Sequence, residues 1–335
     1  MMLIKNEKTG VVFVVPKINT IAKVGKKFVA GTDIGIFSLN IDVENGYVET
    51  IYDEILNSYV FTPSKIPIKH EKFLGITPFN LDEIMKKFQK RINVNYILEI
   101  SENNVLIGTG DGLVLFNLLN KKYKIYYPIN KHITIITKDN HNRIWVGTKA
   151  GISIFYFIGE ELKLYKNITI HSKLPSGMIK SIVPYKDEIY IGTDVGICRI
   201  KENLLIVDKE KHNITGGCIG YYDEILFTTE DANLIRFRKD ERVEIFRVEG
   251  MKYINALTPL SSNKIAVCGD VVGEINMESL EVSIYKHPHG RENLTTLYYD
   301  KENDFLIIGS YFFGIYIKKG DKIFGEDAIH WHFGF

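Results

Sequence analysis

Carboxylates and imidazoles are the side chains of this sequence best suited to bind a cation, polarise a substrate or activate water, and they recur at regular intervals. Asp33, Asp111, Asp194, Glu230, Asp231 and Asp270 each follow a short apolar run that ends in small residues, most often Gly-Thr. His132, His171, His212, His287 and His289 fall in the polar stretches that separate these units. Brought to one place, these groups would form a site for a divalent cation or a basic partner. The acids have a second reading, because Asp bonds its own local backbone and is favoured in turns for that reason alone. Lys131, Lys149 and Lys211 lie beside them and dilute any acidic field. Both readings stand on the residues.

Nothing else in the chain spells out a reaction. There is no Gly-x-Ser-x-Gly, no His-Glu-x-x-His and no paired zinc-ligand spacing. Gly108-Thr-Gly-Asp-Gly112 has the look of a phosphate-cradling loop, but a strand pattern follows it, so the helix N-terminus such a loop needs is missing. Cys198, Cys218 and Cys268 lie in or beside apolar runs without a C-x-x-C pair, as small buried residues of a reducing compartment do. With 42 basic and 41 acidic residues the net charge is +1, so no overall field draws the chain to nucleic acid or anionic lipid. The first apolar run, Val11 to Val15, is too short for a signal-peptide core, and no run approaches the roughly 20 apolar residues of a membrane helix. A soluble, cytoplasmic, non-enzymatic protein is the expectation.

The elements that carry these residues form a repeat. Ile144-Trp-Val-Gly-Thr-Lys-Ala-Gly-Ile152 is matched by Ile189 to Ile197, Val105 to Leu113 and Phe28 to Ile36, with weaker copies at 225–234, 265–275 and 305–315. The period is about 40–45 residues, and each unit reads as four short strands rich in Ile, Val, Tyr and Phe. That is a single closed all-β propeller of four-stranded blades spanning 1–335. The paired glycines Gly31 and Gly35, Gly108 and Gly112, Gly147 and Gly151, Gly192 and Gly196, Gly269 and Gly273, and Gly309 and Gly314 are expected to serve tight turns that need φ > 0.

The interval between Gly31 and Gly108 is about twice the others, so a degenerate unit centred on Gly75 would make eight blades. Alternatively Leu81, Ile84, Met85, Phe88 and Ile92 mark one face of a helix, residues 50–95 are an insertion, and the blades number seven. Eight is the favoured count. Val11 to Val15 is expected to complete the last blade, since a ring of sheets must not leave an open edge. Antiparallel order sends the turn between second and third strands and the connector between blades to the same face. The acids and histidines therefore share one loop face, with a possible divalent cation at the disc centre.

The unit Ile-Trp-Val-Gly-Thr-x-x-Gly-Ile at 144–152 resembles the two-component regulator propeller repeat, known from sensing domains of hybrid histidine kinases. The resemblance covers most of the chain, and it implies the fold rather than a function. The unit Ile225 to Phe237 is similar to the repeat of streptogramin-lyase propellers, whose enzymes use a metal and a general base. The leading expectation is a scaffold that holds protein partners on its loop face. A metal-dependent lactonase or lyase and a carbohydrate or small-ligand sensor domain are the alternatives. The aromatic tail 325–335 offers Trp331, Phe333 and Phe335 as a docking element, or as cover for the disc.

Overall fold

The computed structural model describes residues 2–5, 12–52, 56, 93–201, 204–206, 211–240, 242–285, 290–312 and 314–325. Within them seven antiparallel sheets of four strands follow one another along the chain, each in simple sequence order. The first sheet is Ile18–Val24, Lys27–Thr32, Gly35–Asp42 and Tyr47–Tyr52. The inner strands of the other six are Val94–Ser101, Ile133–Lys138, Ile179–Tyr185, Ile214–Ile219, Ile254–Pro259 and Leu294–Asp300. Each inner strand packs on the next, and Leu294–Asp300 packs back on Ile18–Val24, so the blades form a ring.

The strand patterns follow from this stacking. Second strands are sandwiched between two neighbouring blades and read as unbroken apolar runs, as in Asn104–Thr109, where every residue is buried. Outer strands such as Tyr123–Tyr126 are mostly exposed. Seven apolar clusters fill the seven gaps between blades. In one, Val29 and Ile36 of the first blade meet Val105, Ile107, Val114 and Phe116 of the second. In the closing gap, Ile18, Ile21 and Phe37 meet Phe305, Ile307 and Ile317.

One local feature recurs seven times. The ladder between first and second strands slips by one residue just after the inner strand begins, leaving Asn19, Asn95, Thr134, Lys180, Thr215, Asn255 and Thr295 as bulge residues. The bulge re-aims a polar side chain along the ring. Asn19 Nδ2 donates to Val94 O at 3.0 Å, Asn95 to Ile133 O at 2.7 Å and Asn255 to Leu294 O at 2.7 Å. Thr295 Oγ1 donates to Ile18 O at 2.5 Å, so the last blade meets the first through the joint seen at Asn19, Asn95 and Asn255.

Two expectations are corrected. The blades number seven, not eight: Ile18–Val24 packs directly on Val94–Ser101, and the Asn19 bond to Val94 leaves no room for a sheet between them. The degenerate unit around Gly75 and the helical alternative at Leu81 to Ile92 lie outside the described residues. The N-terminal strand does not complete the last blade. Val12–Val15 pairs with Met2–Lys5 in a separate hairpin, and Lys322–Phe324 already fills the outer place of the seventh sheet.

The paired glycines divide by role. Gly35, Gly112, Gly151, Gly196 and Gly314 hold φ between 87° and 149° and are the turn glycines. The first of each pair sits in extended backbone, where a side chain has no space. A Cβ on Gly192 would stand 2.5 Å from the Ile214 Cγ2 methyl of the next blade, and Gly31, Gly108, Gly147 and Gly309 are seated the same way. The sixth blade departs from the rule: neither Gly269 nor Gly273 has positive φ, and Gly269 N closes a shorter turn onto Val271 O at 3.0 Å.

Candidate binding face

The turns between second and third strands are built by threonine. Thr148 Oγ1 donates to Gly151 O at 2.8 Å and accepts the Ala150 N–H at 3.0 Å. Thr32, Thr109 and Thr193 repeat both bonds. A buried hydroxyl thus replaces water as partner of the turn backbone. Sequence reasoning missed this role, although Thr follows the first glycine in all four units.

The acids are held by the face itself. Asp33 Oδ1 accepts the Lys17 N–H at 2.9 Å, tying the turn to the connector. Burial pushes the Lys17 ammonium below its ordinary value, and the Asp33 charge offsets part of that. Asp111 pairs with Lys131 at 2.9 Å, both exposed. Asp231 accepts from the Thr229 hydroxyl at 2.5 Å and from Asn233 Nδ2 at 2.9 Å, while Glu230 accepts from the Asn213 amide. Asp270 is buried, accepts the Lys252 N–H at 2.9 Å and pairs with Arg291. Asp194 is half-buried, with Oδ1 enclosed and unbonded.

The histidines are spread out. His132 is half-buried, with Nε2 3.5 Å from Asn95 Nδ2. Burial and then the Lys149 charge hold its imidazole below the ordinary value, so it is neutral at pH 7. His171 is exposed on the short 3-10 turn Ile170–Ser172, and His212 is half-buried on its connector. His287, His289, Trp331, Phe333 and Phe335 lie outside the described residues. Among the described residues, no three His, Cys, Asp or Glu side chains are grouped to hold one metal ion.

What does gather around the axis is a ring of amides and hydroxyls. The bulge residues sit on the innermost strands, and the residues before those strands add a second tier: Asn19 bonds Asn93 at 2.7 Å, and Asn255 bonds Asn293 at 2.9 Å. Thr134 Oγ1 is buried without a partner, and Lys180 is the exposed cation of the ring. This ring leaves a trace in the sequence as a recurring pair, an apolar residue followed by Asn, Thr or Lys, at the start of every inner strand.

No protein-family model and no curated protein matches the sequence. Solved structures do. The chain is similar to the extracellular domain of a putative hybrid two-component system from B. thetaiotaomicron, with TM-score 0.66 and 14% identity over 92% of this chain and 39% of that one. It is similar to virginiamycin B lyase from Staphylococcus aureus, with TM-score 0.62 and 13% identity over 94% of this chain and 96% of that one. PorZ, a surface component of the type-IX secretion system of Porphyromonas gingivalis, aligns with TM-score 0.59 and 11% identity over 94% of this chain and 38% of that one. The chain thus spans about two fifths of the sensor structure's length. At such identities the likeness shows the fold alone, and it bears out the propeller resemblance read from the repeats.

The expected cytoplasmic location is corrected by the same findings, since the sensor structures matched are extracellular domains. The three cysteines do not argue otherwise. They are free, and burial pushes the thiols of Cys198 and Cys218 up to about 12, which disfavours the reactive thiolate. No helix among the described residues is long and apolar enough to cross a membrane.

Proposed function

We propose that the chain is a non-enzymatic binding disc that holds a protein partner against its loop face. The observation that carries this reading is the way the face spends its charge. Asp33, Asp111, Asp231 and Asp270 are bonded to neighbouring turns and connectors. A rigid rim of neutral amides and hydroxyls then surrounds the axis, with Lys149 and Lys180 exposed on the face. Such a surface recognises by shape and directional hydrogen bonds, and loops on a rigid scaffold are where binding residues concentrate.

Affinity capture from the native source tests it. The wild-type chain should recover a stoichiometric partner, and the double variant Lys149→Glu, Lys180→Glu should lose that partner while keeping its circular dichroism spectrum. Recovery of the wild-type chain alone overturns the reading.

A further inference from the structure

The outer rim of the second and third blades carries a surface unlike the rest of the disc. The net charge of +1 conceals an uneven distribution. Residues 118–186 hold twelve lysines and arginines against three acids, whereas 187–335 holds seventeen against twenty-five. Arg143 is bonded to the buried Asp139, and the eleven lysines of the stretch are all exposed. Among the described residues, only Lys124, Lys131 and Lys186 of these are paired with an acid.

Part of this charge lines a sheet edge. Glu161–Ile168 is the outer strand of the third blade and has eight residues, where the outer strands of the other blades have three to six. It pairs with Gly151–Ile158 on one side, and no described strand lies on the other. Leu162 N–H donates to Tyr126 Oη of the second blade at 3.1 Å, so the free edge begins beyond it, over 163–168. Leu164 and Tyr165 stand more than half exposed between Lys163 and Lys166. Lys124 bonds Glu161 at 2.8 Å and brings the second blade's outer strand alongside, with Lys121 and Lys122 just before it. An exposed strand edge is a template for another strand, and proteins blunt such edges by shortness or by lysine. This edge is long. Its lysines turn away a second copy of the same edge by like charge and attract a strand of opposite sign.

We propose that the edge at 163–168 takes an extended acidic segment of a partner protein as a fifth strand of the third blade. Backbone hydrogen bonds supply the ladder, carboxylates on the added strand meet Lys163, Lys166 and the lysines of the neighbouring turn, and Leu164 and Tyr165 receive its apolar side chains. A nucleic acid or an anionic membrane would answer the charge but leave the free ladder and Leu164 unused. The edge lies on the rim and not on the loop face, so it operates in addition to any partner held there.

Fluorescence anisotropy of a labelled Glu–Val repeat peptide, titrated with the full chain, tests the assignment. The peptide should bind saturably and more weakly as salt is raised, and a Lys–Val repeat should not bind. A Glu–Pro repeat of equal length and charge cannot add as a strand and should bind about tenfold more weakly. Lys163→Glu combined with Lys166→Glu, both on exposed side chains, should weaken binding about tenfold or more with the circular dichroism spectrum unchanged. The same charge change at the exposed Lys301 and Lys319 of the seventh blade should leave binding within about twofold. Equal binding of the Glu–Pro repeat, equal losses in the two double variants, or no binding of the Glu–Val repeat at millimolar concentration overturns the proposal. So does tighter binding of single-stranded oligothymidine or of phosphatidylserine vesicles, which would assign the rim to nucleic acid or to a lipid surface instead.

Discussion

The third and fifth blades make the same turn between their first and second strands and fill it with opposite chemistry. In the third, Asp139 N donates to Arg143 O; in the fifth, Gly220 N donates to Glu224 O at the equivalent points. The Asp139 carboxylate is saturated: it accepts from Arg143 Nε at 2.6 Å, Trp145 Nε1 at 2.8 Å and the His141 and Arg143 N–H groups at 2.9 Å. Glu224 is as deeply enclosed and makes no hydrogen bond, only an ion pair with the buried Arg236 guanidinium at 3.6 Å. A buried carboxylate with its bonds complete stabilises a turn. One held only by a longer ion pair has its desolvation less fully offset and contributes less.

Asp139→Ala should therefore be the most damaging change, removing about 3–5 kcal/mol because it orphans the Trp145 indole N–H and leaves Arg143 without its buried partner. Denaturant unfolding would measure it, and a loss below about 1 kcal/mol would show that the saturated turn is not a stabilising unit. Gly192→Val comes next, at about 1–3 kcal/mol, because the side chain collides with Ile214 of the fifth blade. The fifth blade has Thr228 at the matching position and makes space with Gly216 and Gly217 on its inner strand instead, where a Cβ on Gly216 would stand 2.7 Å from Leu257 of the next blade.

The same contrast predicts a pH dependence. Burial raises the Asp139 carboxyl, but the bonds from Trp145 and Arg143 outweigh it and hold the group below its ordinary value. Its contribution is full above the unfolded pKa of about 3.9 and is lost as pH falls through the lower folded value. Acid unfolding followed by tryptophan fluorescence should show that slope, and Asp139→Asn should flatten it. Glu224→Gln should cost less than Asp139→Ala, since it loses no hydrogen bond and only the longer ion pair with Arg236. A large destabilisation there would assign Glu224 and Arg236 a structural role and remove the contrast.

Much of the disc was legible along the chain. The copies at 28–36, 105–113, 144–152 and 189–197 marked second strands and turns, and the four short strands read for each unit are seen in the fourth blade as Ile179–Tyr185, Glu188–Thr193, Gly196–Ile200 and Leu204–Ile206. The glycine roles were half legible, because φ > 0 at Gly196 is a local need whereas the seat at Gly192 depends on a methyl from another blade. The blade count misled, because spacing alone cannot distinguish a worn repeat from a long connection. The axial ring was overlooked for a related reason: Asn and Thr are too common to be noticed until seven bulges bring them together.

By itself, the sequence determined the sheet-forming unit, its four strands and the loop end on which its acids emerge, since these follow from local periodicity and turn chemistry. Only the tertiary structure decided the number of blades, the joint that closes the ring and which carboxylates are satisfied. The blade count and the closing joint depend on what a neighbouring blade brings into contact, far away in the chain, and a carboxylate is satisfied only when folding turns donors such as Arg143 and Trp145 onto it.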